Sequence, residues 1–506
     1  MGADILLFDA PGSPCARRVK IALLEKQLPF ERIEVDLAAM EQKRPEYLAL
    51  NPNGVVPTLA HGSFVLFEAN TITRYLDEAF PDTPQLYPSQ PEELAQVFNW
   101  QAAELVMAKR FRPLMYQRLL GPLTRMTKTR DEALQRARDN GAGHEGIAWE
   151  TRVWSVDVIS LTEEQTLVAW HHGWLAKLEQ ALSDRPFLLG TECAMADLSV
   201  APRVALYPAI GIALRGRFPN TAAWIARMEA RPSLAATKSD QEAKLQKLSQ
   251  TPILPAANSL YRREGRPTLK ERAIVAFKRP LLRKLTAKTA STRAPFIVPE
   301  IAERASPTDR FLPTNPPDRR YDCIKLFGSE NDPVFNTGHF IAKQTTARTE
   351  KHTRDTFAVE IDGLNLSAPN EALELLATVA TETGLKHPQT AQQTAMTRAW
   401  LAFAQGSERE FRPFCMSANG NSKLDRFITD KSMALLEIKR RLDILEKHLS
   451  KSAFLVAIGM TVADLRWHFE LIALQRAGLE VTSQSILNWQ KSIVASGTTA
   501  ATAVTQ

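Results

Sequence analysis

Over the first 80 residues, short apolar runs alternate with stretches whose apolar positions recur at helical spacing. Ile5–Phe8 reads as a strand and Ala16–Lys26 as an amphipathic helix, followed by a second strand over Phe30–Asp36. A helical stretch near Pro45–Leu50 precedes two short strands, Val56–Ala60 and Phe64–Phe67, that turn at His61-Gly62-Ser63. A closing helix, Asn70–Phe80, stops at Pro81. The order is βαβαββα, a small α/β layer fold. From about residue 91 to 232 the pattern is almost wholly helical, with long amphipathic stretches at Glu92–Leu120, Glu163–Leu182 and Ala196–Ile210 and a shorter one at Thr221–Ala230. A polar, Gly-containing stretch around Asp139–Gly146 breaks the first of these from the second.

The opening pattern then returns in worn form. Asp322–Phe327 repeats the first apolar run, and Asp332-Pro333 followed by FNTGHFIAK lines up with Ser13-Pro14 and the first helix. The repeat is shortened around its second strand and helix, and runs to about residue 380. A second helical block covers 387–495, with Leu435, Ile438, Leu442, Leu445 and Leu449 on one helix face. Between the copies, residues 250–320 are rich in Pro and basic residues and read as a linker. Leu269, Ala273, Phe277, Leu281 and Leu285 recur there at a spacing of four, with Pro280 placed to kink any helix. The expected division is therefore 1–82, 91–240, a linker 250–320, 321–380 and 387–495: α/β plus all-α, repeated in degenerate form.

Composition adds bounds. A chain of 506 residues is too long for one core. Its 44% apolar and 24% charged residues are ordinary for a soluble globular protein. No run approaches the roughly 18 apolar residues of a membrane span, and the opening MGADILLFDAPGSP has neither a basic n-region nor a long apolar h-region. Cys15, Cys193, Cys323 and Cys415 lie far apart with no CxxC pair, which argues against a disulfide framework or a zinc site and for a reducing cytoplasm. The net charge of +7 is concentrated in one place: residues 261–293 hold eleven Lys/Arg against two acids, so the rest of the chain is slightly acidic. With only Tyr261 and Phe277 as aromatics, that segment suits an anionic membrane surface or plain solvation better than nucleic acid.

Four stretches together carry a resemblance: SPCARRVKIAL (13–23), NPNGVVPTL (51–59), FEANTITRYLDEAFP (67–81) and RPFLLGTECAMADLSVAP (185–202). In this order and spacing, over about 1–235, the chain resembles the glutathione transferases, with their thioredoxin-like domain and all-helical domain. The stretch from Glu92 to Leu182, including MYQRLLGPL, further resembles a bacterial subgroup of β-etherase-like and ganglioside-induced differentiation-associated-like transferases.

The resemblance implies glutathione as co-substrate, a small apolar electrophile, no metal, and a cytoplasmic detoxification enzyme. It implies Ser13 as the group that stabilises the glutathione thiolate, at a helix N-terminus where orphan N–H groups and the dipole favour negative charge. The plain alternative is an N-cap, since Ser before Pro is a common helix start. Cys15 lies in the same first turn, where a thiol gains reactivity, and a buried bystander is its other reading. Val56-Pro57 resembles the family's cis-proline strand end, which pairs with the cysteinyl backbone of glutathione; an ordinary edge proline is the alternative. Glu68 and Ala69 occupy the acid–Ser pair that holds the γ-glutamyl end. Ala69 lacks the hydroxyl, leaving its N–H and the side chain of Asn70. Met107, Phe111 and Met115, spaced four apart, line either an electrophile pocket or the core.

In the second copy Asp332 replaces Ser13, Ala368 stands for Glu68, and no proline lies between Gly338 and Ala368. A carboxylate would repel a thiolate. Two functions compete: a glutathione transferase working from its first copy, and a non-catalytic binding or interaction protein of the same fold, associated with a membrane surface through 261–293. In either case the copies are expected to pair as an intramolecular pseudo-dimer, or two chains as a homodimer.

Overall fold

The computed structural model describes residues 4–139, 147, 150–151, 154, 159–240, 247–248, 251–261, 266–291, 296–301, 304–312, 322–354, 356–380, 384–418 and 431–496. The break expected around Asp139–Gly146 lies, from residue 140 onward, outside them. Along the first copy run β1 (Ile5–Asp9), α1 (Pro14–Glu25), β2 (Glu31–Glu34), α2 (Pro45–Leu50), β3 (Thr58–His61), β4 (Phe64–Phe67) and α3 (Ala69–Ala79). The helical part follows as α4 (Pro91–Met115), a π-turn over Tyr116–Leu120, α5 (Gly121–Thr127), α6 (Arg130–Asp139), α7 (Leu161–Ala181), α8 (Met195–Val204), α9 (Pro219–Glu229) and α10 (Pro232–Thr237). Where the sequence reads as a linker the structure has two helices, α11 (Ile253–Tyr261) and α12 (Leu269–Ser291).

The second copy has β5 (Cys323–Gly328), α13 (Pro333–Ala342), β6 (Arg348–Thr353), β7 (Ala358–Ile361), β8 (Leu364–Leu366) and α14 (Pro369–Val379). Its helical part is α15 (Ala391–Ala418), α16 (Lys431–Leu449), α17 (Val462–Arg476) and α18 (Gln484–Ala495). Each copy therefore has the thioredoxin-like order of strands followed by helices. β7 begins 300 residues after β3 (Thr58 to Ala358), but β5 begins 318 after β1 (Ile5 to Cys323), so the shortening falls between the second and third strands. There the second copy has no counterpart of α2 among the described residues.

The chain folds as two units, and they do not coincide with the copies. One comprises Met1–Ser63 and Ala103–Ala305, the other Phe64–Ala102 and Ser306–Gln506. In the first unit β1 lies between β2, parallel to it, and β3, antiparallel. Leu6, Leu7 and Phe8 are buried to within 1% because both faces of this central strand are covered. α1 packs on α8 and α10, tied by Arg17, whose Nη2 donates to the Leu234 carbonyl at 3.0 Å. α11 and α12 pack against α5 around Met126, Ala256, Ala257 and Val275.

In the second unit β5 lies between parallel β6 and antiparallel β7, and β8 follows β7 antiparallel. Its core, formed by α13, α15, α17 and the sheet, also takes in Ala95, Phe98 and Ala102 of α4. α15 packs along α3 and β4 as well as on α16 and α17. Asn99 of α4 accepts from the Ser367 N–H at 2.8 Å and donates to the Asn365 carbonyl at 3.0 Å. A segment of the first copy is thus built into the unit that contains the second. No helix among the described residues is long and apolar enough to cross a membrane.

Candidate functional site

The first helix starts where the sequence places a cap. Gly12 takes φ +80°, a conformation glycine adopts without a Cβ clash. Ser13 then stands as N-cap of α1, with Pro14 at the first helical position. The Ser13 Oγ accepts from the Ala16 N–H at 3.3 Å. That bond uses an oxygen lone pair and leaves the hydroxyl proton as a donor at the positive end of the helix. Ser13 is half-buried, so an anion can reach it.

Cys15, also half-buried, has a charged neighbour the sequence gives no hint of. Arg203 Nη2 lies 3.4 Å from its Sγ, and Arg203 Nε donates to Glu104 at 2.6 Å. Glu104 is fully buried and its other oxygen accepts from Arg18. Burial alone would raise the Glu104 carboxyl; the two guanidinium groups more than offset it and hold it below its usual range. The same Arg18 donates to the Ser199 carbonyl at 3.0 Å, so one buried carboxylate pins α1 to α8 behind the Ser13 turn. A single Glu in the middle of a long helix carries no such signal in sequence; Arg18, in register behind Ser13-Pro14, is the nearest to one.

The Val56–Pro57 peptide bond is cis, and both residues are buried. Their segment is held from below. The Tyr47 hydroxyl donates to the Val55 carbonyl at 2.7 Å and lies 2.8 Å from Thr58 Oγ1. Asn51 Nδ2 donates to the same two groups at 2.8 and 3.0 Å. Burial drives the Tyr47 phenol well above its ordinary value, so it acts only as a neutral hydrogen-bonding post.

Glu68, Ala69 and Asn70 belong to the second unit, at the start of α3. Glu68 is the N-cap residue and sits at φ +70°, ψ 118°, outside the regions open to residues with a Cβ. Such a conformation costs about 1–3 kcal/mol and persists where surroundings impose it, commonly at ligand sites. Ala69 is buried and Asn70 half-buried.

Of the apolar stripe, Met107 and Phe111 lie in the core of the first unit, and Met115 is half-buried against Leu119, Ala209 and Leu254. Phe111 meets His171 and Tyr207 edge-on at 6.1 and 5.5 Å. His171 Nδ1 lies 2.8 Å from the Tyr207 hydroxyl, and burial pushes its pKa down to about 4, so the ring is neutral. Among the described residues no cluster of His, Cys, Asp and Glu is fit to hold a metal.

A glutathione S-transferase from Silene vulgaris is 32% identical over 171 residues, which span 32% of this chain and 76% of the relative. The chain belongs to the glutathione S-transferase family. Residues 7–84 match the family's N-terminal domain and 165–232 its C-terminal domain. Glutathione S-transferase PARB of Nicotiana tabacum is 27% identical over 237 residues, covering 45% of this chain and 94% of that one. Among solved structures, the β-etherase LigF of a Sphingobium species is similar over 46% of this chain and 98% of its own, at 21% identity and a TM-score of 0.42.

The second copy keeps the scaffold and differs at the positions that correspond to Ser13 and Glu68. Asp332 caps α13 through the Val334 N–H at 2.9 Å, in the place of Ser13. Ala368, at the place of Glu68, has φ −87°, ordinary extended backbone. The cap of the last core helix is shared. In the first copy the buried Asp197 accepts from the Leu188 N–H (3.0 Å) and Trp224 Nε1 (2.8 Å); in the second Asp464 accepts from the Leu455 N–H (2.9 Å) and Trp489 Nε1 (2.9 Å). Asp464 also accepts from Thr461 Oγ1, a contact that Ala194 cannot make.

Proposed function

We propose that this chain is a glutathione transferase whose chemistry resides in its first copy. Ser13 donates its hydroxyl proton as a hydrogen bond to the thiolate of glutathione, and the Val56–Pro57 strand end pairs with the cysteinyl backbone. Glu68, the Ala69 N–H and Asn70 serve the γ-glutamyl end. The thiolate attacks an apolar electrophile: a carbon–sulfur bond forms, the leaving group departs with its electron pair, and the thiol proton goes to solvent. Each unit by which the thiol pKa falls corresponds to about 1.4 kcal/mol, which one charge-assisted hydrogen bond and the helix dipole supply. The observation that carries this reading is the capped, half-buried Ser13 on a helix pinned from behind by Glu104. The strained Glu68 supports it over a non-catalytic binding protein. Retention on immobilised glutathione followed by a chromogenic conjugation assay tests it. Ser13→Ala should lower turnover at least about tenfold with little change in glutathione binding, since one charge-assisted hydrogen bond is lost. Full activity of that variant, with Cys15→Ser inactive, would move the chemistry to thiol exchange at Cys15.

The second copy acts, in this reading, as an intramolecular pseudo-subunit. The packing of α15 on α3 and β4, matched by Asn99 of α4 on Asn365 and Ser367, supports it: each copy's helix meets the other's strand–helix edge. Truncation near residue 245 should leave a fragment that dimerises, aggregates or loses stability. A well-behaved active monomer of 1–245, with 321–506 folding separately and without affinity for it, would sink the idea.

A membrane-surface role for α12 has its own support. Leu269, Phe277 and Leu281 are 85%, 77% and 52% exposed beside Lys270, Lys278, Arg279 and Arg283, while Ile274, Val275 and Leu282 face the core. Basic groups near anionic lipid contribute about 1 kcal/mol each at most. Sedimentation should show weak binding to anionic vesicles, abolished by salt; equal behaviour with neutral vesicles would reduce α12 to a solvated helix.

A further inference from the structure

We infer that Arg398, in the second copy, is a positioning residue for glutathione binding, acting through helix α3. The inference rests on the reading that the first turn of α3 holds the γ-glutamyl end. Arg398 lies on α15, which packs along α3 and β4. Its Nη1 donates to both carboxylate oxygens of Glu78 on α3, at 3.0 and 2.8 Å. Its Nε donates to Glu374 on α14, at 3.1 and 2.9 Å. Arg74, one turn back on α3, donates to Glu78 at 2.8 Å and lies over the rings of Tyr87 and Phe98. All four charged side chains are largely covered, so the bridge is screened little by solvent and is directional.

What the bridge holds is a strained helix entry. Glu68 at φ +70° starts α3, and a helix free to shift would let that residue relax. The far end of the helix is where Arg398 grips. Within the first copy α3 is also fastened by Asp77, which accepts from the Leu86 and Tyr87 N–H groups, and by Thr73 at 2.8 Å from the Tyr87 hydroxyl. Those bonds tie α3 to the segment just after it; the Arg398 bridge, together with the packing of α15 along α3, ties it to the second copy.

A second first copy has no equivalent grip to offer. With β3–β7, β4–β8 and α3–α14 all offset by 300, Arg398 corresponds to Phe98 and Glu374 to Arg74. A like pairing would set the neutral Phe98 against Glu78, with Arg74 already engaged by Glu78 of its own helix, and the bridge would have no counterpart. The duplicated half is therefore required as an unlike partner: it has discarded the thiolate donor and acquired the cation that fixes its neighbour's helix.

The test uses the full chain. Arg398→Ala should raise the KM for glutathione about tenfold while kcat and the KM for an activated chloroarene change less than twofold. Hydrogen exchange at the amides of residues 69–74 should accelerate in the same variant without glutathione present. Glu78→Gln cuts the α3 end of the same bridge and should reproduce both effects, and the double variant should add nothing further. Arg398→Lys, which keeps the charge and loses the fork, should restore most of the affinity. Unchanged glutathione KM, unchanged exchange at 69–74, or a parallel loss of kcat and both KM values would overturn the positioning role. If wild-type protein neither binds nor turns over glutathione, the transferase reading itself has failed, a result distinct from any variant's. Should Arg398→Ala not fold, Glu78→Gln decides alone.

Discussion

Glu68 and Ala368 hold the same place in two copies of one fold, each opening a helix after the fourth strand, yet only Glu68 is at positive φ. The sheets have the same pairing sense, and the buried Asp–Trp cap is matched to within about 0.1 Å in its hydrogen bonds. Scaffold features survive in both copies because each copy must still fold. On the proposed function, the strain at Glu68 is kept for the γ-glutamyl end of glutathione, and Ala368, which has no such task, takes ordinary extended backbone. The difference between copies thus sorts residues of the first into those that build the fold and those that equip it.

The most severe way to break the contrast is to move the second copy's residue into the first. Ser13→Asp places a carboxylate where the thiolate should form; two like charges at 4 Å interact by about 4 kcal/mol at an effective dielectric of 20. Turnover should fall by at least about a hundredfold, well beyond Ser13→Ala, with the fold intact by circular dichroism. Comparable activity of the two variants would mean that the hydroxyl does not face the sulfur.

Next in size is the shared cap. Trp224→Phe and Trp489→Phe each remove a donor from a fully buried carboxylate, and each should cost about 1–3 kcal/mol in denaturant unfolding. Burial already pushes both Asp197 and Asp464 above the ordinary carboxylate range. A large loss at one Trp and none at the other would show that only one copy depends on its cap.

The third probe is pH. Glu371, on α14 beside the Arg398 bridge, has its pKa pushed up to about 7 by burial and then by the neighbouring Glu374, against the opposing pull of Arg398 and Arg74. Its folded value lies above its unfolded one, so its contribution is fully present below about 4.5 and is lost as pH rises through 7. The unit containing the second copy should be about 2 kcal/mol more stable at pH 5 than at pH 8, and Glu371→Gln should flatten that slope. An unchanged slope in the variant would place the proton elsewhere.

The mildest change is Glu68→Gly. Glycine takes φ +70° freely, so relief of the strain, set against glycine's greater backbone entropy, should raise stability by about 1 kcal/mol, while loss of the carboxylate should weaken glutathione binding about tenfold. Binding by calorimetry and a thermal melt on one sample read both, and intact affinity would remove Glu68 from the site.

Much of this was legible in the sequence. Period-two and period-3.6 patterning marked β1, α1, β3, β4 and α3 to within a few residues, and Ser13-Pro14 announced its cap, because these depend on local chemistry. Three features depend on distant residues and left no local trace. Glu104 reads as a solvated helix charge until α1 and α8 close over it. Pro and Lys/Arg density made 250–320 look like a tether, yet α11 and α12 find an apolar seat at Met126. The spacing-of-four ridge that includes Leu269, Phe277 and Leu281 is exposed there, and Ile274, Val275 and Leu282 are the ones covered. Nothing near residue 64 signals that the next 39 residues join the other unit.

That last feature has a consequence during synthesis. Arg398 lies 320 residues beyond its partner Glu78. At about 5–20 residues per second, α3 waits some 15–60 seconds on the ribosome for the helix that covers it. Throughout that interval Ala95, Phe98 and Ala102 of α4, which pack into the second copy's core in the finished protein, have only the first copy's own segments for shelter. The nascent first half is a natural client for chaperones, and slow codons between the copies would lengthen its exposure.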